Sequence, residues 1–187
     1  MKRSLFILVV VAVAALSILG AMLVTASPTP AAASLTPQEA SDLPQWASDL
    51  RYAREEEKLA RDVYRHLDTL WGDEIGTFAN IAPSEDRHTL AIKVLLDRYL
   101  VPDPAASTAD GEFENEDLQL AYDVLVADGS ASLAAALQVG VDIEEMDIEH
   151  LESFRENTDQ RDITKVYTNL IEGSHSHLEA FLKVLAR

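Results

Sequence analysis

The sequence predicts an all-α protein, an antiparallel four-helix bundle with a long crossover between its second and third helices. Three observations carry this expectation. Beyond residue 45 apolar residues recur at steps of three and four almost everywhere, and no stretch alternates long enough to make a strand. Two of the connections between these stripes are short, which makes antiparallel hairpins. The third, residues 101–129, is rich in Pro, Asp and Gly and has enough chain to run from one end of a bundle to the other.

The chain of 187 residues opens on a different kind of segment. Residues 5–24 carry no charge and follow Lys2 and Arg3, and Val24-Thr25-Ala26 puts small residues ahead of Ser27. Residues 1–26 are therefore expected to be a secretory signal peptide cleaved after Ala26. An uncleaved N-terminal membrane anchor is the competing reading, because twenty apolar residues can span a bilayer. Either way the folded part is expected outside the cytoplasmic membrane, extracellular or periplasmic. Residues 27–44, with Pro28, Pro30, Pro37 and Pro44, read as a flexible linker. Residues 45–187 are then one domain, with enough chain for a single core and too little for two.

Composition narrows the partners. The 32 acidic and 15 basic residues give a net charge of −17, which becomes −19 once Lys2 and Arg3 leave with a cleaved leader. Such a field repels phosphates and has no counterions to release from them, so nucleic acid is excluded. It also disfavours anionic headgroups, so membrane contact is expected only through the N-terminal segment. The chain has no cysteine. Thiolate is thereby removed from the metal donors, leaving carboxylate and imidazole.

The first helix is expected over 46–71, ending near Gly72, with the stripe Leu50, Ala53, Glu57, Ala60, Tyr64, Leu67 and Trp71. The second starts near Phe78, is kinked or restarted at Pro83, and stops before Pro102. Its stripe is Phe78, Ile81, Glu85, His88, Ile92, Leu95 and Tyr99. The crossover contains a short helical stretch near 118–126. The third helix runs over about 130–154 with Leu133, Leu137, Gly140, Glu144, Asp147, Leu151 and Phe154, and the fourth from about 162 to the end with Ile163, Tyr167, Leu170, Ser174, His177, Phe181 and Val184.

Each stripe is apolar except in its middle. There stand Glu57, then Glu85 with His88, then Glu144 with Asp147, then Ser174 with His177. Burying an unpaired carboxylate costs several kcal/mol, so acids on several inner faces need compensation, most simply a cation held between them. The intrusions fall at similar heights, so four helices bring them to one layer. Glu85 and His88 at a spacing of three project from one face and can ligate one ion through oxygen and nitrogen. In the run Glu55-Glu56-Glu57 only Glu57 shares the stripe; Glu55 lies off it and Glu56 on its shoulder with Leu59 and Val63. Glu145, Glu172 and His175 fall on outward faces. His66 and His150 read as surface residues or as partners one layer out from the ligands, and His150 stands one turn beyond Asp147.

The strings REEEKLARDVY from Arg54, FANIAPSEDRH from Phe78, DIEEMDIEHL from Asp142 and NLIEGSHSHLEAF from Asn169 resemble the prokaryotic domain of unknown function 2202 family. Glu57 followed by Ala60 and Tyr64, and Glu85-x-x-His88, are similar to the ligand helices of the ferritin-like superfamily. The resemblance covers nearly all of residues 45–185 and implies a ferritin-like antiparallel four-helix bundle with a dinuclear metal site. Carried over, it makes Glu57 a terminal carboxylate, Glu85 a bridging one with His88 beside it, Glu144 the carboxylate of the third helix and His177 the second histidine. Ser174 departs from the pattern, standing where ferritins and di-iron oxidases place a second bridging Glu. Asp147 then supplies the missing carboxylate, or the site holds one ion, or it is a decayed site held together by hydrogen bonds.

Two functions follow as expectations. One is an exported metal-binding protein that holds iron, or else manganese or zinc, through Glu57, Glu85, His88, Glu144, His177 and Asp147, with Tyr64, Ser174 and His150 supporting them. If redox-active it is a ferroxidase or a peroxidase-like oxidoreductase. The other is a non-catalytic acidic helical interaction module whose buried polar groups satisfy each other. A homodimer is left open, and neither substrate nor electron donor is legible.

Overall fold

The structure, a computed structural model, describes Thr36 and residues 42–187. The leader and most of the linker read from the sequence lie outside these described residues. Among them there are five helices and no strand: α1 (Gln45–Trp71), α2 (Thr77–Tyr99), α3 (Glu116–Gly129), α4 (Leu133–Glu156) and α5 (Arg161–Leu185). None of these helices is long and apolar enough to cross a membrane.

Four long helices make the bundle. Trp46 meets Tyr99 at one end of the α1/α2 pair and Arg65 meets Asp86 towards the other, so the two run antiparallel. Phe154 against Tyr167 and Asp147 against Ser174 make α4/α5 antiparallel in the same way. Contacts of Glu56 with His150 and of Tyr64 with Glu144 set α4 antiparallel to α1 as well. Hence α2 and α4 point the same way, and the chain between them must travel the length of the bundle, as the long connection predicts.

That connection is more ordered than the sequence suggests. The short stretch expected near 118–126 is the full helix α3, whose first turn is capped by Asn115, accepting from the Asp117 and Leu118 amides at 2.9 and 3.1 Å. The following helix starts at Leu133 rather than near 130, because Ser132 is its cap, accepting from the Ala135 amide at 3.1 Å. Pro83 neither ends nor restarts α2; it is exposed, as is Ala79, whose carbonyl it leaves without an amide donor.

The crossover lies along α1 and buries polar residues there. Lys58 is 2 % exposed and its ammonium donates to Asp62 at 2.7 Å and to the carbonyls of Ala109 and Glu112 at 2.7 and 2.9 Å, with the Phe113 ring 4.3 Å away. Glu55 accepts from the amides of Glu114 and Asn115, and Arg54 pairs with Asp103 at 3.1 Å. Glu55 is therefore buried, not solvated as a triple-acid run suggests. Its position off the apolar stripe is real, but the crossover supplies a second covered face.

The core is divided. One apolar cluster gathers Leu59, Val63, Tyr64, Leu67, Phe78, Leu137 and Phe181, and the other Leu50, Ala53, Ile92, Leu95, Leu151, Ile163 and Tyr167. Between them lies a layer of buried polar side chains from α1, α2, α4 and α5.

α2 ends on Leu100, which has φ 54°, the only described non-glycine residue in the left-handed region, and its side chain is 89 % exposed. This conformation costs an L-residue roughly 1–2 kcal/mol. Leu100→Gly should therefore raise the unfolding free energy by about 1 kcal/mol in urea melts. An unchanged midpoint would show that the left-handed cap carries no strain.

Candidate metal centre

The polar layer contains every residue that the sequence places at mid-stripe. Glu57 comes from α1, Glu85 and His88 from α2, Glu144 and Asp147 from α4, and Ser174 and His177 from α5. All but His88 are under 9 % exposed, and the His88 side chain is at 11 %. The four helices deliver them because each interrupts an apolar stripe near its midpoint, with an apolar cluster on either side.

Glu85 is the centre of the arrangement. Its Oε2 lies 2.9 Å from His88 Nδ1 and its Oε1 lies 2.7 Å from His177 Nδ1. Glu57 Oε2 approaches His88 Nδ1 at 3.1 Å, and Glu144 Oε1 approaches His177 Nδ1 at 3.4 Å. The imidazole rings stack, with centroids 5.5 Å apart. Two donor groups result, Glu57 with Glu85 and His88, and Glu85 with Glu144 and His177; within each, the donor atoms lie within 4.8 Å of one another. They share Glu85.

Asp147 belongs to neither group. Its Oδ2 accepts from the Ser174 hydroxyl at 2.6 Å, which also lies 3.1 Å from the Leu170 carbonyl. Of the roles open to Ser174, the structure shows a tether for Asp147. Tyr64 donates to Glu144 Oε1 at 2.7 Å and fixes that carboxylate. His150 Nδ1 stands 2.6 Å from Glu56 Oε1, so a residue that looks marginal in the sequence pairs with a buried acid. Glu56, 1 % exposed, is absent from the predicted ligands. The signal was its shoulder line with Leu59 and Val63, both fully buried. Glu145, Glu172 and His175 are exposed, and His66 is half-buried.

Burial and mutual repulsion decide the charges. Burial, then the charges of Glu85 and Glu144, hold the Glu57 carboxyl well above the usual carboxylate range. Burial, then Glu57 and Glu56, lift Asp147 in the same way, and burial lifts Glu144. Glu85 is the exception. Burial pushes it up too, but the imidazoles of His177 and His88 against its oxygens outweigh this and bring it to about 2. The carboxylates in turn outweigh burial at His177 and raise it to about 9.

Hydrogen bonding within the layer is incomplete. Glu56 Oε2, Glu57 Oε1, Glu85 Oε1, Asp147 Oδ1 and His177 Nδ1 are buried without a hydrogen-bond partner; Glu85 Oε1 and His177 Nδ1 are close but not aligned for one. Buried polar atoms left so cost about 1–3 kcal/mol each. The donor atoms are carboxylate oxygens and imidazole nitrogens, which suit Fe, Mn or Zn, so the residues present fit a cation.

Gly173 makes the layer possible. A Cβ there would stand 2.7 Å from His88 Nε2, so only glycine lets the ring lie against α5 with its Nδ1 turned inward. Gly140 does the same for Phe181, whose ring would be 2.5 Å from an added Cβ.

The family described as Uncharacterized protein domain (DUF2202) matches residues 47–187. Uncharacterized protein MJ0754 of Methanocaldococcus jannaschii is 46 % identical over 132 residues, which is 71 % of this chain and 70 % of that protein. The fold is similar to the crystal structure of hypothetical protein MJ0754 from Methanococcus jannaschii, with a TM-score of 0.72, 40 % identity and 86 % of each chain covered.

In an ordinary helix Gly→Ala gains up to about 1 kcal/mol. At position 173 the His88 ring, held by Glu85 and Glu57, should reverse the sign, and Gly173→Ala should be destabilised by about 1–3 kcal/mol through overpacking. Denaturant melts measure this. A variant more stable than the parent would mean that His88 moves aside freely.

Proposed function

The chain belongs to the DUF2202 family, and we propose that it is an exported metal-binding protein whose bundle core holds iron, or else manganese or zinc, at the shared Glu85. The observation that carries this is one buried carboxylate between two imidazoles, each backed by a further carboxylate, with buried oxygens lacking partners. Glu57, Glu85 and His88 would hold one ion, and Glu85, Glu144 and His177 a second. The order and direction of the four long helices support a place in the ferritin-like superfamily. Export rests on the uncharged N-terminal segment behind Lys2 and Arg3.

Bound iron would supply one-electron chemistry of the kind used to oxidise Fe(II) or to reduce peroxide. The chain's own residues set the conditions. Tyr64 keeps Glu144 oriented by its 2.7 Å hydrogen bond, and Phe78 and Phe181 pack against Tyr64 and keep water from that side. Ser174 keeps one oxygen of Asp147 occupied, so Glu85 is the carboxylate common to both groups. The same Ser174 bond favours a second reading, an acidic interaction module with a decayed metal site, in which the polar layer is closed by its own hydrogen bonds.

Elemental analysis of the full-length protein, purified after growth with iron, manganese and zinc, separates the two. The expected result is one to two ions per chain, lost in Glu85→Gln and reduced in Glu57→Gln. A ligand present at 100 times its Kd stabilises the fold by about 2.7 kcal/mol, so the wild type should melt higher with metal and Glu85→Gln should not. No stoichiometric metal and no shift in the melt would assign the interaction module instead.

A further inference from the structure

A groove of about 600 Å³ lies between α1, α4 and the start of α3, with none of the residues around Glu85 in its wall. Its wall carries three acids, Asp49, Glu55 and Glu114, against one Arg51, so it is acidic on balance. His150 forms part of the same wall, with its ring stacked on Phe154 and edge-on to Tyr52. Behind His150, 2.6 Å from its Nδ1, lies the carboxylate of Glu56.

Glu56 and Asp147 are not in the groove wall and are more deeply buried than His150. Both are at least nine-tenths buried, and each has one oxygen without a partner, Oε2 and Oδ1. Asp147 lies three residues before His150 on α4, hence on the same side of that helix. Glu56 is the chain neighbour of Glu57. Its charge also reaches Asp147, whose carboxyl it helps to lift. The groove, His150, Glu56 and Asp147 thus form a graded series of oxygen and nitrogen donors that starts in solvent and ends beside the centre. On the opposite side, α2 and α5, the His88 and His177 rings stack and lie against Glu85.

We propose that divalent cations reach the centre through this groove, passed inward by His150 and Glu56, which act as a transit position distinct from the resting ligands. The proposal rests on the metal-binding reading of the centre. An imidazole with an exposed edge and a buried carboxylate suit transit, because two donors hold a cation weakly enough to release it to the three-donor groups beyond. Asp147, tethered by Ser174 on one oxygen, offers the other to the moving ion.

The test follows Co(II) uptake by the full-length protein in a stopped-flow spectrometer, with bound metal counted separately after equilibration. Glu56→Gln and His150→Phe, the latter keeping a ring against Phe154, should slow uptake at least tenfold while reaching the wild-type number of ions. Ser48→Arg, which puts a bulky cation on the groove wall away from either donor, should slow it as well. It reads the same route if the buried variants fail to fold. His175→Phe, on an exposed face of α5, should load at the wild-type rate. Full occupancy reached within twofold of the wild-type rate in the groove variants would overturn the port and leave the centre standing. Loss of bound ions in Glu56→Gln or His150→Phe would make these residues resting ligands and also overturn it. Failure of the wild type to take up Co(II) at all would overturn the metal reading and the port together.

Discussion

A buried anion between two imidazoles is the interaction on which the rest of the structure depends. Glu85 touches His88 and His177, and these in turn face Glu57 and Glu144, so four side chains, one from each long helix, gather around one carboxylate. A layer of this kind is expensive to bury, since each unpaired ionised group costs several kcal/mol. The protein lowers that cost by holding Glu57, Asp147 and Glu144 towards their neutral forms and leaving the charge on Glu85, where the imidazoles balance it. The unpartnered oxygens that remain are what a cation would satisfy.

The layer also dictates how the apolar residues are used. Rather than one continuous core there are two clusters, one above and one below, and each seals an end of the polar layer from water. Aromatic residues concentrate against it: Tyr64, Phe78 and Phe181 on one side, with Tyr64 directing its hydroxyl at Glu144. Two glycines let bulky rings reach their places, Gly173 for His88 and Gly140 for Phe181. The crossover completes the wrapping, because Lys58 anchors it from inside by holding Asp62 and two crossover carbonyls at once.

Much of this was legible in the residues before any coordinates. Helical periodicity named the four long helices, and loop lengths distinguished hairpins from crossover, because both signals are local. The mid-stripe polar residues were legible for the same reason: an acid or histidine where a leucine belongs is visible against its own helix. Glu55, Lys58 and Asp62 were not. Each lies on or beside the outward face of α1 by period alone, and only the return of residues 103–115 over that face makes it a buried one. The extent of α3 was obscured by Pro102, Pro104 and Gly111, which punctuate the chain before it, and by Gly129, which is its last residue.

What the sequence by itself determined is the helical period, the direction of each hairpin, the oxygen and nitrogen donor set, and which residues interrupt the apolar stripes. Which carboxylate stands at the centre, which histidine pairs with which acid, and that Ser174 ties down Asp147 were decided only by the tertiary structure. The physical reason is that periodicity fixes the face a side chain occupies, whereas contacts under 4 Å depend on how helices 20 to 120 residues apart are rotated and shifted against one another. His150 shows the difference: its helix face was readable, but its partner Glu56, 94 residues away, was not.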